Sequence, residues 1–216
     1  MYFEYGEKEI EYLKTHDKLL SEAIDKIGHI YREVDDDLFS SVIHHIIGQQ
    51  ISTSAQATIW KRLSDKLGTV NEDTIYLCSR EELQSCGMTF KKVDYIKDFA
   101  EKIRSGEFNI DDLYSMSNED VIKKLSSLNG IAVWTAEMIM TFCMQRPDIV
   151  SFGDLAIHRG MRMLYHHRKI DKKLFAKYAR RHSPYGTVAS LYLWAIAGGA
   201  IPGMKDYAPK KEIKKK

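Results

Sequence analysis

The chain has 216 residues, 44% hydrophobic and 29% charged, which suits an ordinary globular protein of one sizeable domain or two small ones sharing a core. Its net charge is +2, so any nucleic-acid footprint must be local rather than a uniformly basic coat. Three cysteines without CxxC spacing (Cys78, Cys86, Cys143) exclude a disulfide framework and a four-cysteine iron–sulfur cluster.

The start MYFEYGEKEIEYL is acidic and carries no apolar signal region, and no apolar run approaches about 18 residues, so a cytoplasmic protein without membrane contact is expected. From residue 7 to 27 an aliphatic stripe (Ile10, Leu13, Leu19, Leu20, Ala23, Ile24, Ile27) predicts a helix ending at Gly28. The acidic turn Asp35-Asp36-Asp37 suits the N-terminus of the next helix, Leu38 to Ile47, which is apolar on most faces and should be buried. That helix ends in the turn Gly48-Gln49-Gln50-Ile51-Ser52, with Ser52 as N-cap of a helix through Leu63. Short helices are predicted over 71–78 and 80–86, then a longer one from Thr89 to Ile103. Lys91 and Lys92 occupy its first turn, where the helix dipole disfavours cations; a solvated face or a nearby phosphate would each explain them.

Ser117 reads as an N-cap, with Asp120 in the place of a capping-box Glu, before Val121, Ile122 and Leu125. A hairpin follows at Asn129-Gly130, where glycine permits a conformation or close approach that a Cβ would obstruct. Helical spacing resumes through Val133, Ala136, Met140 and Phe142, stops before Pro147, and begins again behind Asp154. The last two predicted helices are 170–181 and 188–197, broken by Gly198-Gly199 and closed by Pro202. No alternating strand, repeat or linker is evident. The expected fold is all-α: a bilobal bundle of about ten helices with a helix-hairpin-helix motif and an interlobe cleft. Residues 36–145 would form one subdomain ending in the motif at 117–145, with 1–35 and 146–205 forming the other. Residues 206–216, with the basic run PKKEIKKK, would be a disordered tail.

Two helices joined by a Gly-bearing hairpin can direct several backbone N–H groups outward, and such donors suit a phosphate. An ordinary helical pair followed by a capping Asp fits the same residues. Adjacent histidines (His44/His45, His166/His167) point apart on a helix and do not form a shared metal site.

Four features stand together: the GQQIS turn, the helix-hairpin-helix, the Asp behind it, and the run SLYLWAIAGG. Jointly they resemble the helix-hairpin-helix DNA glycosylase superfamily, and the WTAEM and DLAIHRG segments look most like its 3-methyladenine-DNA glycosylase II branch. The resemblance spans Phe39 to Gly199. It implies a partner, double-stranded DNA containing a damaged base, a monomeric enzyme, and Asp154 as the catalytic carboxylate that stabilises an oxocarbenium-like sugar or orients the attacking water. Superfamily members that also nick the backbone carry a Lys in the second hairpin helix; here that position is Trp134, which cannot form an imine, and Lys123 and Lys124 lie on the other helix. Hydrolysis without lyase activity is therefore implied. Trp134, Trp194 and Met138 become base-pocket candidates, since electron-poor alkylated purines stack on indole with about 0.5–2 kcal/mol of cation–π attraction, although core packing would use the same residue types.

The resemblance also assigns the turn after the buried helix, Gln50 or else Gln49, to fill the gap left by a flipped base. The hairpin departs from the family's Pro-Gly and second Gly, having Asn129-Gly130-Ile131-Ala132 instead. Left-handed dihedrals at Ala132 would cost about 1–2 kcal/mol, so Ala132 is expected to start the second helix in α geometry. Phosphate contact through Gly130, Ile131, Ala132 and Val133 survives that change, with Arg159, Lys91 and Lys92 as further phosphate candidates and His158 or Arg159 able to reach Asp154. No cofactor is required by the implied reaction. In relatives hairpin carbonyls hold a hard cation, which here would mean those of Ser126, Leu128 and Ile131. A glycosylase for oxidised or deaminated bases, a bifunctional lyase and a non-catalytic DNA-binding protein are the alternatives.

Overall fold

The aliphatic stripe of residues 7–27 forms two helices, α1 (Glu7–His16) and α2 (Lys18–Ile27), because Asp17 breaks it. The break is invisible in the spacing, which continues across it. Asp17 takes extended dihedrals (φ −144°, ψ 99°) and caps α2, its Oδ1 accepting from the Leu20 N–H at 3.1 Å. Its Oδ2 accepts from Tyr165 Oη at 2.7 Å and from the Arg181 guanidinium at 3.0 Å, with His182 Nε2 at 3.4 Å. Burial alone would raise this carboxyl; hydrogen bonds from His182, the Leu20 N–H, Tyr165 and Arg181 outweigh it and hold the group well below the usual carboxylate range. A depressed folded-state value means the stabilisation is complete above the unfolded value near ~3.9 and is lost as pH falls below it. Asp17→Ala, which strands buried donors, should lower stability by about 3–5 kcal/mol at pH 7. Thermal unfolding at pH 7 and pH 3 should show the gap between variant and parent narrowing in acid.

The structure, a computed structural model, describes residues 1–35 and 37–209; Asp36 of the acidic turn and residues 210–216 of the basic tail lie outside them. The described residues contain twelve α-helices and one 3-10 helix, with no strand beyond an isolated Tyr2–Glu33 bridge. The all-α expectation holds, with more helices than the spacing had indicated. None of these helices is long and apolar enough to cross a membrane.

One compact unit comprises Met1 and residues 35–144. It contains α3 (Leu38–Gly48), α4 (Thr53–Leu67), α5 (Glu72–Leu77), α6 (Arg80–Ser85), α7 (Phe90–Arg104), the 3-10 helix Asp111–Ser115, α8 (Asn118–Ser126) and α9 (Val133–Phe142). Its centre is α3, which buries Leu38, Phe39, Val42, Ile43, Ile46 and Ile47 and packs against α4, α7 and α9. Asp37 caps α3 through the Ser40 N–H (2.6 Å). At α8 the capping box is incomplete. Ser117 Oγ accepts from the Asp120 N–H at 3.2 Å, but the shorter Asp side chain takes the Ser117 hydroxyl rather than reaching the backbone.

The other unit joins residues 2–34 to the described residues from Gln145 onward. Alongside α1 and α2 it holds α10 (Leu155–Tyr165), α11 (Lys172–His182) and α12 (Gly186–Ala197). α12 is apolar on nearly every face and packs on α2, α10 and α11. It begins two residues before the predicted Val188, because Gly186 and Thr187 hold the preceding loop. Gly186 N–H donates to Asp148 Oδ1 (3.1 Å), and Thr187 Oγ1 accepts from the Ile149 N–H (3.0 Å). Where α10 crosses α12, Gly160 lies so close to the Leu193 carbonyl that a Cβ would collide with it. That glycine sets the spacing of the two helices.

Candidate functional site

In the first unit, one face of α7 organises both the hairpin and the turn after α3. Lys92, Tyr95 and Asp98 recur at i, i+3 and i+6, a single stripe on a helix. Asp98 Oδ2 accepts from Asn129 Nδ2 at 3.0 Å. Gly130 sits against the Tyr95 ring at φ +85°, so it is glycine for both reasons: the backbone is left-handed, and a Cβ would strike the ring. Ala132 is not the first α residue that the cost argument placed there. It is an extended N-cap (φ −90°, ψ 166°), which avoids the left-handed region equally well. Lacking a side-chain oxygen, it leaves the start of α9 without the cap that Ser52, Thr89 or Ser117 provides elsewhere. The Ile131 N–H is not directed outward as expected. It donates to the Leu128 carbonyl at 3.2 Å, and Ile131 itself is buried, because the turn needs that bond to close. Exposed Ala132 and Val133 therefore carry the outward donors.

The turn after α3 separates its two glutamines. Gln49 caps the helix in extended conformation, and its Nε2 donates to the Gly130 carbonyl at 2.6 Å, so it braces the hairpin and is not available as a wedge. Gln50 is exposed at φ +58°, a left-handed non-glycine residue at the apex. Lys92 is likewise not a phosphate arm: its ammonium donates to the carbonyls of Ile47 (2.8 Å) and Gln49 (2.7 Å). Partial burial there shifts its pKa below the ordinary lysine value. The cation that seemed misplaced at the start of α7 thus serves the C-terminal carbonyls of α3, where positive charge is favoured. Lys91 remains exposed, 5.8 Å from the Tyr95 ring centroid.

Trp134 is the second residue of α9 and is 44% exposed, a large aromatic presented beside the hairpin. Met138, one turn on, is buried at 4% exposure and belongs to the packed core. Of the three carbonyls implied for a cation, that of Leu128 already accepts from Ile131; the Ser126 hydroxyl, buried without a hydrogen-bond partner, adds one more oxygen to the same turn. Among the described residues no group of three or more His, Cys, Asp or Glu is arranged to hold a metal ion.

The second unit contains Asp154, buried at 8% exposure and N-cap of α10. Three donors converge on its Oδ1: the N–H groups of Ala156 (2.8 Å) and Ile157 (2.9 Å), and Trp194 Nε1 (3.2 Å). Trp194, predicted as a pocket wall, thus also orients the carboxylate, across the helix pair that Gly160 brings together. A tryptophan forty residues away could not be assigned to that bond from spacing. His158 Nε2 pairs with the Phe152 carbonyl (2.8 Å), its ring stacked on Phe175, and Arg159 lies 3.9 Å from Asp206, whose carboxylate Arg162 grips with both nitrogens at 2.7 Å. Their expected role beside Asp154 gives way to these partners.

A buried carboxylate fixed by helix N–H groups can stabilise a cation or hold a water. An uncapped helix start with outward N–H groups can hold an anion. These capacities agree with the comparisons. The family model described as HhH-GPD superfamily base excision DNA repair protein matches residues 43–184. DNA-3-methyladenine glycosylase 1 of Schizosaccharomyces pombe is 30% identical over 178 residues, spanning 80% of this chain and 78% of that protein. Among solved structures, DNA-3-methyladenine glycosidase from Bacillus halodurans has a TM-score of 0.83 at 33% identity, with 92% of this chain and 93% of that one covered. The S. pombe 3-methyladenine DNA glycosylase in complex with abasic DNA has a TM-score of 0.74 at 26% identity, covering 87% and 95%. The matched residues include the glutamine turn, the hairpin and Asp154; Trp194 falls beyond them.

Proposed function

Because this chain belongs to the HhH-GPD superfamily of base excision DNA repair proteins, we propose that it hydrolyses the N-glycosidic bond of alkylated purines in double-stranded DNA and leaves an abasic site. The observation that carries the reading is the buried Asp154 carboxylate with three N–H donors on one oxygen. Those donors fix the group's direction before substrate arrives, so no reorganisation is needed as the sugar becomes cationic. The carboxylate so held is the group that meets the sugar or the attacking water. Departure of an alkylated purine removes the positive charge the ring already bears, so the leaving group needs little protonation.

Trp134 supports hydrolysis over lyase chemistry: an indole stands where an amine would attack, and nothing at that position can form an imine. Its exposed ring offers a face to the electron-poor base. Ala132 and Val133 hold a backbone phosphate through their N–H groups, with Arg159 and Lys91 available to others, and Gln50 enters the stack as the base leaves it. A hairpin cation would be held by the carbonyls of Ser126, Leu128 and Ile131 and would add positive charge beside that phosphate.

The purified protein should be incubated with duplexes carrying single lesions: 3-methyladenine, 7-methylguanine, 8-oxoguanine or uracil. Release of the alkylated bases, with no borohydride-trapped adduct, is the expected result. Release confined to 8-oxoguanine or uracil would move the substrate class, and a trapped adduct would overturn the hydrolytic mechanism.

A further inference from the structure

The proposed wedge residue is held in a conformation it would not adopt by itself. Gln50 has φ +58°, a left-handed geometry costing a non-glycine residue about 1–2 kcal/mol, at the end of a helix whose last carbonyls have no intrahelical donors. Two side chains from elsewhere in the unit supply what is missing, and the turn's own Gln49 adds a tie to the hairpin. Lys92 Nζ donates to the carbonyls of Ile47 and Gln49, on either side of Gly48. Gln56 Nε2 donates to the His44 carbonyl at 2.9 Å and lies over Gly48, where a Cβ would come within 2.5 Å of it. Gln49 Nε2, on the residue adjoining Gln50, reaches the Gly130 carbonyl at 2.6 Å. The apex is thus tied on one side to α7 and on the other to the turn that precedes α9.

We infer that Lys92 and Gln49 are positioning residues that couple the hairpin's grip on a DNA phosphate to the entry of Gln50 into the base stack. The inference rests on the glycosylase reading above. Both residues act through backbone carbonyls. Lys92 locks the carbonyls flanking the bend, so Gln50 is presented in one direction rather than sampling several. Gln49 transmits the hairpin's location, because its acceptor is the carbonyl of Gly130 itself. A phosphate bound at Ala132 and Val133 therefore sets where along the duplex the apex arrives. Two of the three N–H donors of Lys92 are spent on carbonyls in this arrangement, so its work is done at the turn.

The test uses the full chain and a duplex with a tetrahydrofuran abasic analogue opposite 2-aminopurine, whose fluorescence rises when it is unstacked. This readout requires no base release, so it stands apart from the lesion panel. If Gln50→Ala leaves the fluorescence rise intact, Gln50 is not the wedge and the coupling falls with it, whatever the panel shows. With Gln50 confirmed, Lys92→Met and Gln49→Leu should each reduce the rise by about three- to tenfold, the span expected for residues in contact. Affinity for undamaged duplex and its salt dependence should be unchanged. Lys92→Arg, which can donate to both carbonyls, should restore most of the signal. In the Gln50→Ala background, Lys92→Met should add nothing. A direct phosphate role for Lys92 would instead lower the salt slope by about one and weaken binding to every duplex equally. That result, or additive losses in the double variant, overturns the proposal. Should Lys92→Met melt below the assay temperature, Gln49→Leu and Lys92→Arg decide it.

Discussion

Asp154→Asn is expected to slow single-turnover base release from alkylated duplex DNA by about 10²–10⁴-fold, while melting temperature and affinity for abasic-site DNA stay near those of the parent. The asymmetry follows from the two jobs of this residue. As an N-cap, Asn performs about as well as Asp, because its side-chain carbonyl accepts the same helix N–H bonds. The donors from Ala156, Ile157 and Trp194 therefore keep an acceptor, and α10 should start where it does now. What disappears is the negative charge beside the developing sugar cation, and with it the base that would orient water. A rapid-quench time course, read with a melting curve, separates the two jobs. Unchanged release in the variant would leave Asp154 only its structural role, and the chain would then be a DNA-binding protein without this chemistry.

Gly160→Ala should be damaging although it adds only one methyl group. In an exposed helix, alanine would gain up to about 1 kcal/mol over glycine. Here the added Cβ meets the Leu193 backbone carbonyl, and a backbone atom cannot rotate aside as a side chain can. Relief requires α10 and α12 to separate, at an overpacking cost of about 1–3 kcal/mol or more that exceeds the propensity gain. The expected outcome is a melting temperature lower by about 3–8 °C. Activity below that temperature should also fall, since α10 begins at Asp154 and α12 carries Trp194, and separating the helices lengthens the 3.2 Å bond between them. A melting temperature equal to or above the parent's would show that the crossing is looser than the contact implies.

The parts legible in the sequence were those encoded locally. Asp154 could be found because a carboxylate ahead of Leu155, Ile157 and Met161 is a cap pattern, and Gly130 because a glycine between two helical stripes marks a hairpin. Side chains that act across the chain were not legible. Lys92 lies 43 and 45 residues from the carbonyls it holds, and spacing alone could flag only that a cation at a helix start was unusual. Gln49 and Gln50 look identical in sequence; the structure divides them into a brace and an exposed tip. Asp17 was hidden for the opposite reason: the stripe around it remained helical in period, so no local signal revealed a buried acid collecting Tyr165, Arg181 and His182. Trp194 was read by its ring, as pocket wall or core, and nothing local signalled the bond its N–H makes to Asp154.

The discontinuity of the second unit has a consequence for synthesis. Residues 35–144 leave the ribosome as one uninterrupted segment and can collapse on themselves as they emerge. The helices α1 and α2 are made before that segment and yet pack with α10, α11 and α12, which are made after it. At about 5–20 residues per second, the interval before Gln145 appears is roughly 6–20 s. Throughout it α1 and α2 have only each other of the helices they pack with in this unit, and the carboxylate of Asp17 awaits Tyr165 and Arg181, not yet translated. The unit that holds Asp154 can complete its packing only after the segment that holds the hairpin has been made.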